Sequence, residues 1–221
     1  MKDILVKSDE SFEENKRVSY KKVLLLGNSI LLGMFFKYGM CATDEKSDYA
    51  YYLTREFKKR EPDCKISKFR SSAFEACENE GDFEIWFEDA RPYFESDLDL
   101  VSLQMFDNVN TPKKCELFLK NFPELVRRIR ELAPNARIVW TYGWYVGLGM
   151  PVFERAKQIA DDLGVERIDV SSAHTKENEA KEGQISLNAE GEPIVVPTEW
   201  ITHPSNDGMR EIADIMIAHL F

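Results

Sequence analysis

The stretch KKVLLLGNSILLG, residues 21–33, sets a polar tripeptide between two apolar runs. Its first run is short and aliphatic, which is typical of a buried β-strand. Gly27 allows the backbone to turn tightly directly after such a strand. We therefore predict a strand that ends at Gly27, a turn that carries Ser29, and a helix that begins at about Ile30.

The rest of the chain repeats this order of a short apolar run followed by an amphipathic run. Such alternation predicts an α/β fold with a parallel sheet. The predicted strands are 23–27, 64–69, 99–106, 136–143 and 165–171. The predicted helices are 47–60, 82–94, 111–133, 151–164 and 204–221. The polar segment 172–200 interrupts the alternation, and we predict a small hairpin in it around 189–191, at the entrance to a site.

Length and composition restrict the class of protein. A chain of 221 residues fits a single domain, 1–221, that starts with a charged leader at 1–20. The net charge of -10 argues against a nucleic-acid partner, because a phosphate backbone requires a cationic face. The N-terminus has no apolar signal segment, and no later stretch approaches the roughly 18 apolar residues of a membrane span. We therefore expect a cytoplasmic protein without a membrane partner.

The cysteines and histidines do not indicate a bound metal. Cys41, Cys64, Cys77 and Cys115 are scattered, without the close pairs of zinc or redox sites. His and Cys are not clustered at ligand spacing. We expect reduced, mostly buried thiols and neither a metal nor a cofactor.

Three polar segments that follow apolar runs are candidates for chemistry. Ser29 lies in the predicted turn, where a hydroxyl either caps a helix or attacks a substrate. Asn108 follows the third strand, as a turn residue or as a donor to an oxyanion. His203 precedes Pro204, which suits the first helical position, so the imidazole would sit at the positive end of a helix and stay neutral as a base. Each residue alone also has a purely structural explanation.

Taken together, the order of these segments resembles that of the SGNH (GDSL-like) hydrolase superfamily over about 23–221. The segments KYGMCATDEKSDYAYYL (37–53) and HPSNDGM (203–209) look like a branch of that superfamily whose substrates are mostly unassigned. The resemblance implies a flavodoxin-like, three-layer α/β/α sandwich around a central parallel sheet of about five strands.

The resemblance also implies a role for each residue. Ser29 would be the nucleophile, Asn108 an oxyanion donor and His203 the base. The implied function is that of a serine esterase that removes an acyl group, such as an acetyl, from a carbohydrate or a small ester. Its partner would be this small-molecule substrate, and the sequence leaves the oligomeric state open.

The chain departs from the family pattern in each block. Asn28 stands where the first block usually has aspartate. Phe106 stands where the third block usually has glycine, so we expect a narrower or differently lined pocket beside the block's asparagine. The second block usually offers a glycine N–H to the oxyanion, and its counterpart here is RSSAFE, 70–75. We expect the backbone N–H of Ser72 or Ala73 to take that role.

The third triad member is the largest departure. The family's aspartate lies three residues before the histidine, and Trp200 occupies that position. Three alternatives remain open: Glu199 turns in as the acid, a backbone carbonyl orients His203, or activity is lost. A Ser-His pair can still work, because the acid mainly sets the tautomer and stabilises the imidazolium. A catalytically weak or inactive binding protein on the same fold is the alternative function.

Aromatic residues near the candidate site bear on the substrate. Trp140, Trp144, Tyr145 and Trp200 would suit stacking on a sugar ring, although Trp140 alternates within a strand and fits the core as well. The glycine-bearing segment 142–151 follows a strand and is the better candidate for a site loop. A nucleotide site is disfavoured, since GNSILLG lacks the Gly-Lys-Ser/Thr ending of a P-loop.

Overall fold

A parallel sheet forms the centre of the molecule. The computed structural model describes residues 18–145 and 151–221, so nearly all of the leader predicted at 1–20 lies outside the described residues. The sheet strands are β1 (Lys22–Gly27), β2 (Lys65–Arg70), β3 (Leu100–Gln104), β4 (Arg137–Tyr142) and β5 (Glu166–Asp169). They lie in the order β2-β1-β3-β4-β5, and all neighbours are parallel. The five predicted strands are confirmed.

Helices follow the strands as the alternation predicts. They are α1 (Tyr49–Arg60), α2 (Ser72–Glu75), α3 (Asp82–Ala90), α4 (Pro112–Leu132), α5 (Pro151–Asp162) and α6 (Asn206–Leu220). All but the short α2 correspond to predicted helices. Side-chain caps set two of the starts, since Thr111 Oγ1 accepts from the third residue of α4 and Ser205 Oγ from the third residue of α6.

Both faces of the sheet are covered. Along β1, Leu24 and Leu26 point into a core shared with α3, α4 and α5. Val23 and Leu25 point into a second core shared with α1 and α6. A strand buried on both faces carries a continuous apolar run, which explains the sequence VLLLG. The result is the predicted three-layer α/β/α sandwich.

The strand order places three chain segments at one edge of the sheet. β1 lies between β2 and β3, and its last residue, Gly27, is in register with Arg70 on one side and Gln104 on the other. In such a sheet the crevice opens beyond the carboxyl ends of the strands, where the connections leave to opposite sides. The residues directly after β1, β2 and β3 therefore lie next to one another.

The helix predicted from Ile30 is wrong. The amides of Leu31 and Leu32 both donate to the Asn28 carbonyl, at 3.1 and 3.0 Å, and a single turn ends there. The chain then folds back, and the amide of Met40 donates to the carbonyl of Ser29 at 2.8 Å. A Cβ on Gly39 would collide with the carbonyl oxygen of Ile30. The close return of the chain, which a continuing helix would prevent, thus depends on a glycine.

The predicted hairpin is confirmed. It consists of β6 (Ile185–Leu187) and β7 (Pro193–Val195), paired antiparallel, with Gly191 at φ 85° between them. The hairpin docks on the loop that follows the Ser29 turn, because the amide of Leu187 donates to the carbonyl of Thr43 and the amide of Ala189 to that of Phe35.

Candidate active site

The fold brings Ser29 and His203 together from opposite ends of the chain. Ser29 Oγ lies 3.0 Å from His203 Nε2. The serine stands on the turn directly after β1, and the histidine stands on the loop before α6. This distance is within hydrogen-bond reach of a nucleophile and its base.

The tautomer of His203 follows from its second hydrogen bond. Its Nδ1 lies 3.1 Å from the backbone carbonyl oxygen of Trp200. A carbonyl only accepts, so the proton must be on Nδ1, and Nε2 carries a lone pair toward Ser29. Burial lowers the pKa of His203 to about 4, against a smaller opposing effect of the Trp200 carbonyl. The ring is therefore a neutral base at pH 7.

Several contacts hold the backbone around His203. The amide of Ala180 donates to the His203 carbonyl at 2.8 Å. The indole Nε1 of Trp144 donates to the carbonyl of Thr202 at 2.9 Å.

In the described part of the chain, no acid side chain accepts from Nδ1 of His203. The side chain of Glu199 is exposed, and the backbone carbonyl of Trp200 lies where the acid of a triad would accept from Nδ1. Of the alternatives for the third triad member, the geometry corresponds to a backbone carbonyl.

The placement of His203 at a helix start is wrong. Helix α6 begins at Asn206 with Ser205 as its cap, so Pro204 is not the first helical residue. The largest cause of the low pKa of His203 is its burial. The consequence predicted for this residue, a neutral imidazole, nevertheless holds for a different physical reason.

Asn108 lies on the same edge of the sheet, where it is held by a buried acid. Its Nδ2 donates to Glu75 Oε2 at 2.8 Å, and its backbone amide lies 3.5 Å from Glu75 Oε1. The backbone amide of Phe106 also donates to Glu75. The carboxyl group of Glu75 thus accepts hydrogen bonds from the segment that follows β3.

A second buried acid, Asp107, lies beside Glu75. Asn28 Nδ2 connects the two, at 3.3 Å from Glu75 Oε1 and 3.0 Å from Asp107 Oδ2. Gln104 Nε2 donates to Asp107 at 2.7 Å. Burial raises the pKa of both carboxyl groups, and burial together with the neighbouring Asp107 brings that of Glu75 to about 7. An amide at position 28 supplies the donor that both acids need, which explains why aspartate is absent there.

The second predicted block forms helix α2, directly after β2. The amide of Ser71 donates to the Gly27 carbonyl at 2.6 Å, which ties this segment to the end of β1. Phe74 and Glu75 donate back to the Ser71 carbonyl, so the helix hydrogen-bond ladder begins with them. The backbone N–H groups of Ser72 and Ala73 precede that ladder, as the first donors of any helix do.

Within residues 18–145 and 151–221, no group of His, Cys, Asp and Glu side chains is arranged to hold a metal ion. No helix there has the length and apolarity needed to cross a bilayer.

Solved structures share this architecture. A protein assigned as a GDSL-like lipase, from Parabacteroides merdae, aligns over 92% of this chain and 98% of its own, with a TM-score of 0.60 and 12% identity. An acetylxylan esterase from Geobacillus stearothermophilus aligns over 91% and 94%, with a TM-score of 0.53 and 14% identity. The chain has the SGNH hydrolase fold. A two-domain esterase active on acetylated mannans aligns over 90% of this chain and 48% of its own, with a TM-score of 0.54 and 16% identity. No protein-family model and no curated protein matches the sequence.

Phe106, which stands where the SGNH pattern has glycine, has a backbone conformation that favours glycine. Its φ is 115°, a value that side-chain-bearing residues rarely adopt. The ring is 1% exposed and packs against Phe118 and Phe153, with ring centroids 4.9 and 5.1 Å away. The expectation that Phe106 narrows or lines the pocket beside Asn108 is therefore wrong, because the ring lies in the core between α4 and α5.

The strain at Phe106 leads to a test with two variants. Both Phe106→Ala and Phe106→Gly lose a buried ring, at a cost of about 3–5 kcal/mol. Only glycine relieves the positive φ, which costs about 1–3 kcal/mol. We expect the glycine variant to be more stable than the alanine variant by about 1 kcal/mol, the reverse of the usual order. Urea midpoints measure this, and an alanine variant as stable as the glycine variant would contradict it.

The aromatic residues named as candidates for sugar stacking divide into two groups. Trp140 and Trp144 are fully buried, which confirms the core alternative for Trp140 and excludes a stacking role for both. Tyr145 and Trp200 are half-buried, and the Tyr145 ring stands edge-on to His203 with centroids 5.8 Å apart. In the candidate site loop 142–151, residues 146–150 lie outside the described residues.

Sequence reasoning missed the two buried acids. Glu75 ends the second block and Asp107 directly precedes Asn108, so both stand beside recognised residues. A carboxylate at such a position is usually solvated, and nothing in the pattern marks these two as buried. The available signal was indirect: amide residues at 28, 104 and 108 provide donors that need acceptors.

Proposed function

We propose that this protein is a serine ester hydrolase in which His203 removes the proton from Ser29. The observation that carries this proposal is the 3.0 Å contact between Ser29 Oγ and the unprotonated Nε2 of His203. A hydroxyl is a weak nucleophile until a positioned base takes its proton. Ser29 does not cap a helix, because the next helical segment begins only at Glu45.

In the first step the oxygen of Ser29 attacks the ester carbonyl, and the proton moves to His203 Nε2. The negative charge that develops on the carbonyl oxygen is held by the backbone N–H of Ser29, a backbone N–H of Ser72 or Ala73, and the side chain of Asn108. The imidazolium then returns its proton to the leaving alcohol. Water, activated by the same base, releases the acyl group from Ser29.

The backbone carbonyl of Trp200 takes over part of the role of a triad acid. It fixes the tautomer of His203. In serine hydrolases, the wrong tautomer is the larger consequence of losing the acid. A carbonyl dipole stabilises the imidazolium less than a carboxylate does. The low stability of the imidazolium is reflected in the pKa of His203, about 4, because no nearby negative charge in residues 18–145 or 151–221 offsets the burial of the ring. We infer a working but slower Ser-His pair.

For the substrate we propose an ester with a small acyl group, such as an acetylated carbohydrate. The neighbours support this class, since two of them are named for acetylxylan and acetylated mannans. The half-buried ring of Tyr145 stands edge-on to His203, and the half-buried ring of Trp200 packs against Phe35 and Phe36. Such rings offer apolar surface for a sugar face.

Covalent labelling tests the nucleophile without knowledge of the substrate. A fluorophosphonate probe is expected to label the wild-type protein at Ser29, and mass spectrometry of the peptide that contains it locates the adduct. The variant Ser29→Ala serves as the control and is expected to remain unlabelled. Labelling that is equal in both proteins, or absent from the wild type, would argue for a binding protein on this fold.

A further inference from the structure

We propose that Glu75 is the positioning residue of the oxyanion hole: it holds the Asn108 side chain in its donating orientation, and activity depends on its ionisation. This inference rests on the proposed function and names a residue that acts through Asn108. Glu75 is fully buried, and several hydrogen-bond donors point at its carboxyl group.

The contacts of Glu75 match those of an ionised carboxylate. Oε2 accepts from Asn108 Nδ2 at 2.8 Å. Oε1 accepts from the amide of Phe106, lies 3.3 Å from Asn28 Nδ2 and is 3.5 Å from the amide of Asn108. An ionised carboxylate only accepts and offers about four lone-pair sites. Each of the groups within hydrogen-bond distance of Glu75 is therefore a donor, as an ionised carboxylate requires.

The acceptor-only character of Glu75 decides which way the Asn108 amide faces. A side-chain amide can rotate by half a turn at little cost, exchanging its oxygen and its nitrogen. With a carboxylate on one side, only the NH₂ end can face Glu75. The second N–H of that group then remains available to a developing oxyanion. Without the carboxylate, the amide can present its oxygen instead and repel the charge that it should stabilise.

The same geometry makes the site sensitive to pH. Protonation of Glu75 turns one of its oxygens into a donor, which opposes the N–H of Asn108. Among the described residues, Asp107 is the titratable group that faces Glu75, and the other partners are neutral amides on the segments after β1 and β3. Burial and Asp107 raise the pKa of Glu75 to about 7, whereas that of His203 is lowered to about 4. The two groups therefore titrate in separate ranges.

The pH dependence of kcat for p-nitrophenyl acetate tests the proposal. Wild-type kcat is expected to rise about tenfold between pH 6 and pH 8 as Glu75 ionises. The variant Asn108→Ala is expected to lose about a hundredfold in kcat. It should also lose the step near pH 7, leaving only the fall near pH 4 that reports His203. A step near pH 7 that persists in Asn108→Ala would overturn the proposal.

A double-mutant cycle separates positioning from general loss of structure. Glu75→Gln is expected to lower kcat about as much as Asn108→Ala, with KM changed by less than about threefold. The double variant should be no slower than Asn108→Ala alone, because Glu75 acts through that residue. Losses that multiply would overturn the proposal. Should Glu75→Gln fail to fold, the pH profiles of the wild type and Asn108→Ala decide by themselves.

Failure of the proposed function gives a different result. A wild type that hydrolyses no ester and takes no fluorophosphonate label contradicts the function. The positioning role is then read from the side-chain NH₂ resonances of Asn108, assigned by their absence from the Asn108→Ala spectrum. They should shift with a midpoint near pH 7 if Glu75 faces them. Resonances that do not respond to pH would overturn the inference whatever the activity.

Discussion

Replacing Ser29 or His203 with alanine is expected to lower kcat for p-nitrophenyl acetate by about a thousandfold or more. The two residues act as one unit, since the base is useful only through the nucleophile that lies 3.0 Å away. The double variant should therefore be no slower than either single variant. Activity is measured by release of p-nitrophenol, and folding is checked by circular dichroism and melting temperature.

Glu199→Gln is the matched control for that experiment. The Glu199 side chain is exposed, and Nδ1 of His203 is already bonded to the Trp200 carbonyl. We expect kcat within about twofold of wild type, as for a surface substitution that leaves the site intact. A loss as large as that of His203→Ala would show that Glu199 turns in during the reaction.

For the first experiment, unchanged activity in the Ser29→Ala variant would show that Ser29 is not the nucleophile.

The second large effect is expected for Asn28→Asp. This change removes the amide that donates to both Glu75 and Asp107 and places a third carboxyl group between them. The free energy of unfolding at pH 8 is expected to fall by about 3–5 kcal/mol, as when a buried charge loses its partner. The effect should be smaller at pH 5. Burial beside acids raises the folded-state pKa of the new carboxyl above its unfolded value of about 3.9, so the stability penalty grows as the pH rises.

Asn110→Asp provides the control, because it adds the same charge to an exposed position in the loop after β3, the loop that carries Asp107. Its free energy of unfolding should stay within about 0.5 kcal/mol of wild type. Urea unfolding at both pH values gives the comparison. An Asn28→Asp protein as stable as wild type at pH 8 would mean that the acids are not buried together as described.

The sequence alone determined the order of strands and helices along the chain and the layers that they form. Short aliphatic runs such as 23–27 are buried on both faces and have no other stable placement than a central strand. The amphipathic runs between them, 111–133 for example, carry one apolar face and must cover the sheet. Both patterns are local, because each is visible in the sequence of a single strand or helix. The positions of Ser29, Asn108 and His203 followed because each comes directly after an apolar run or before a capped helix.

Only the tertiary structure decided how these residues work together. The carbonyl that orients His203 belongs to the backbone of Trp200. The direction in which a backbone carbonyl points cannot be predicted from the pattern of side chains. The burial of Glu75 depends on segments that follow three different strands, β1, β2 and β3, and meet at one edge of the sheet. The helix expected after Ser29 is absent because the chain returns to pack against itself. In each case contacts between distant segments outweigh the local preference, since burial and polar pairing are set by what the rest of the chain brings there.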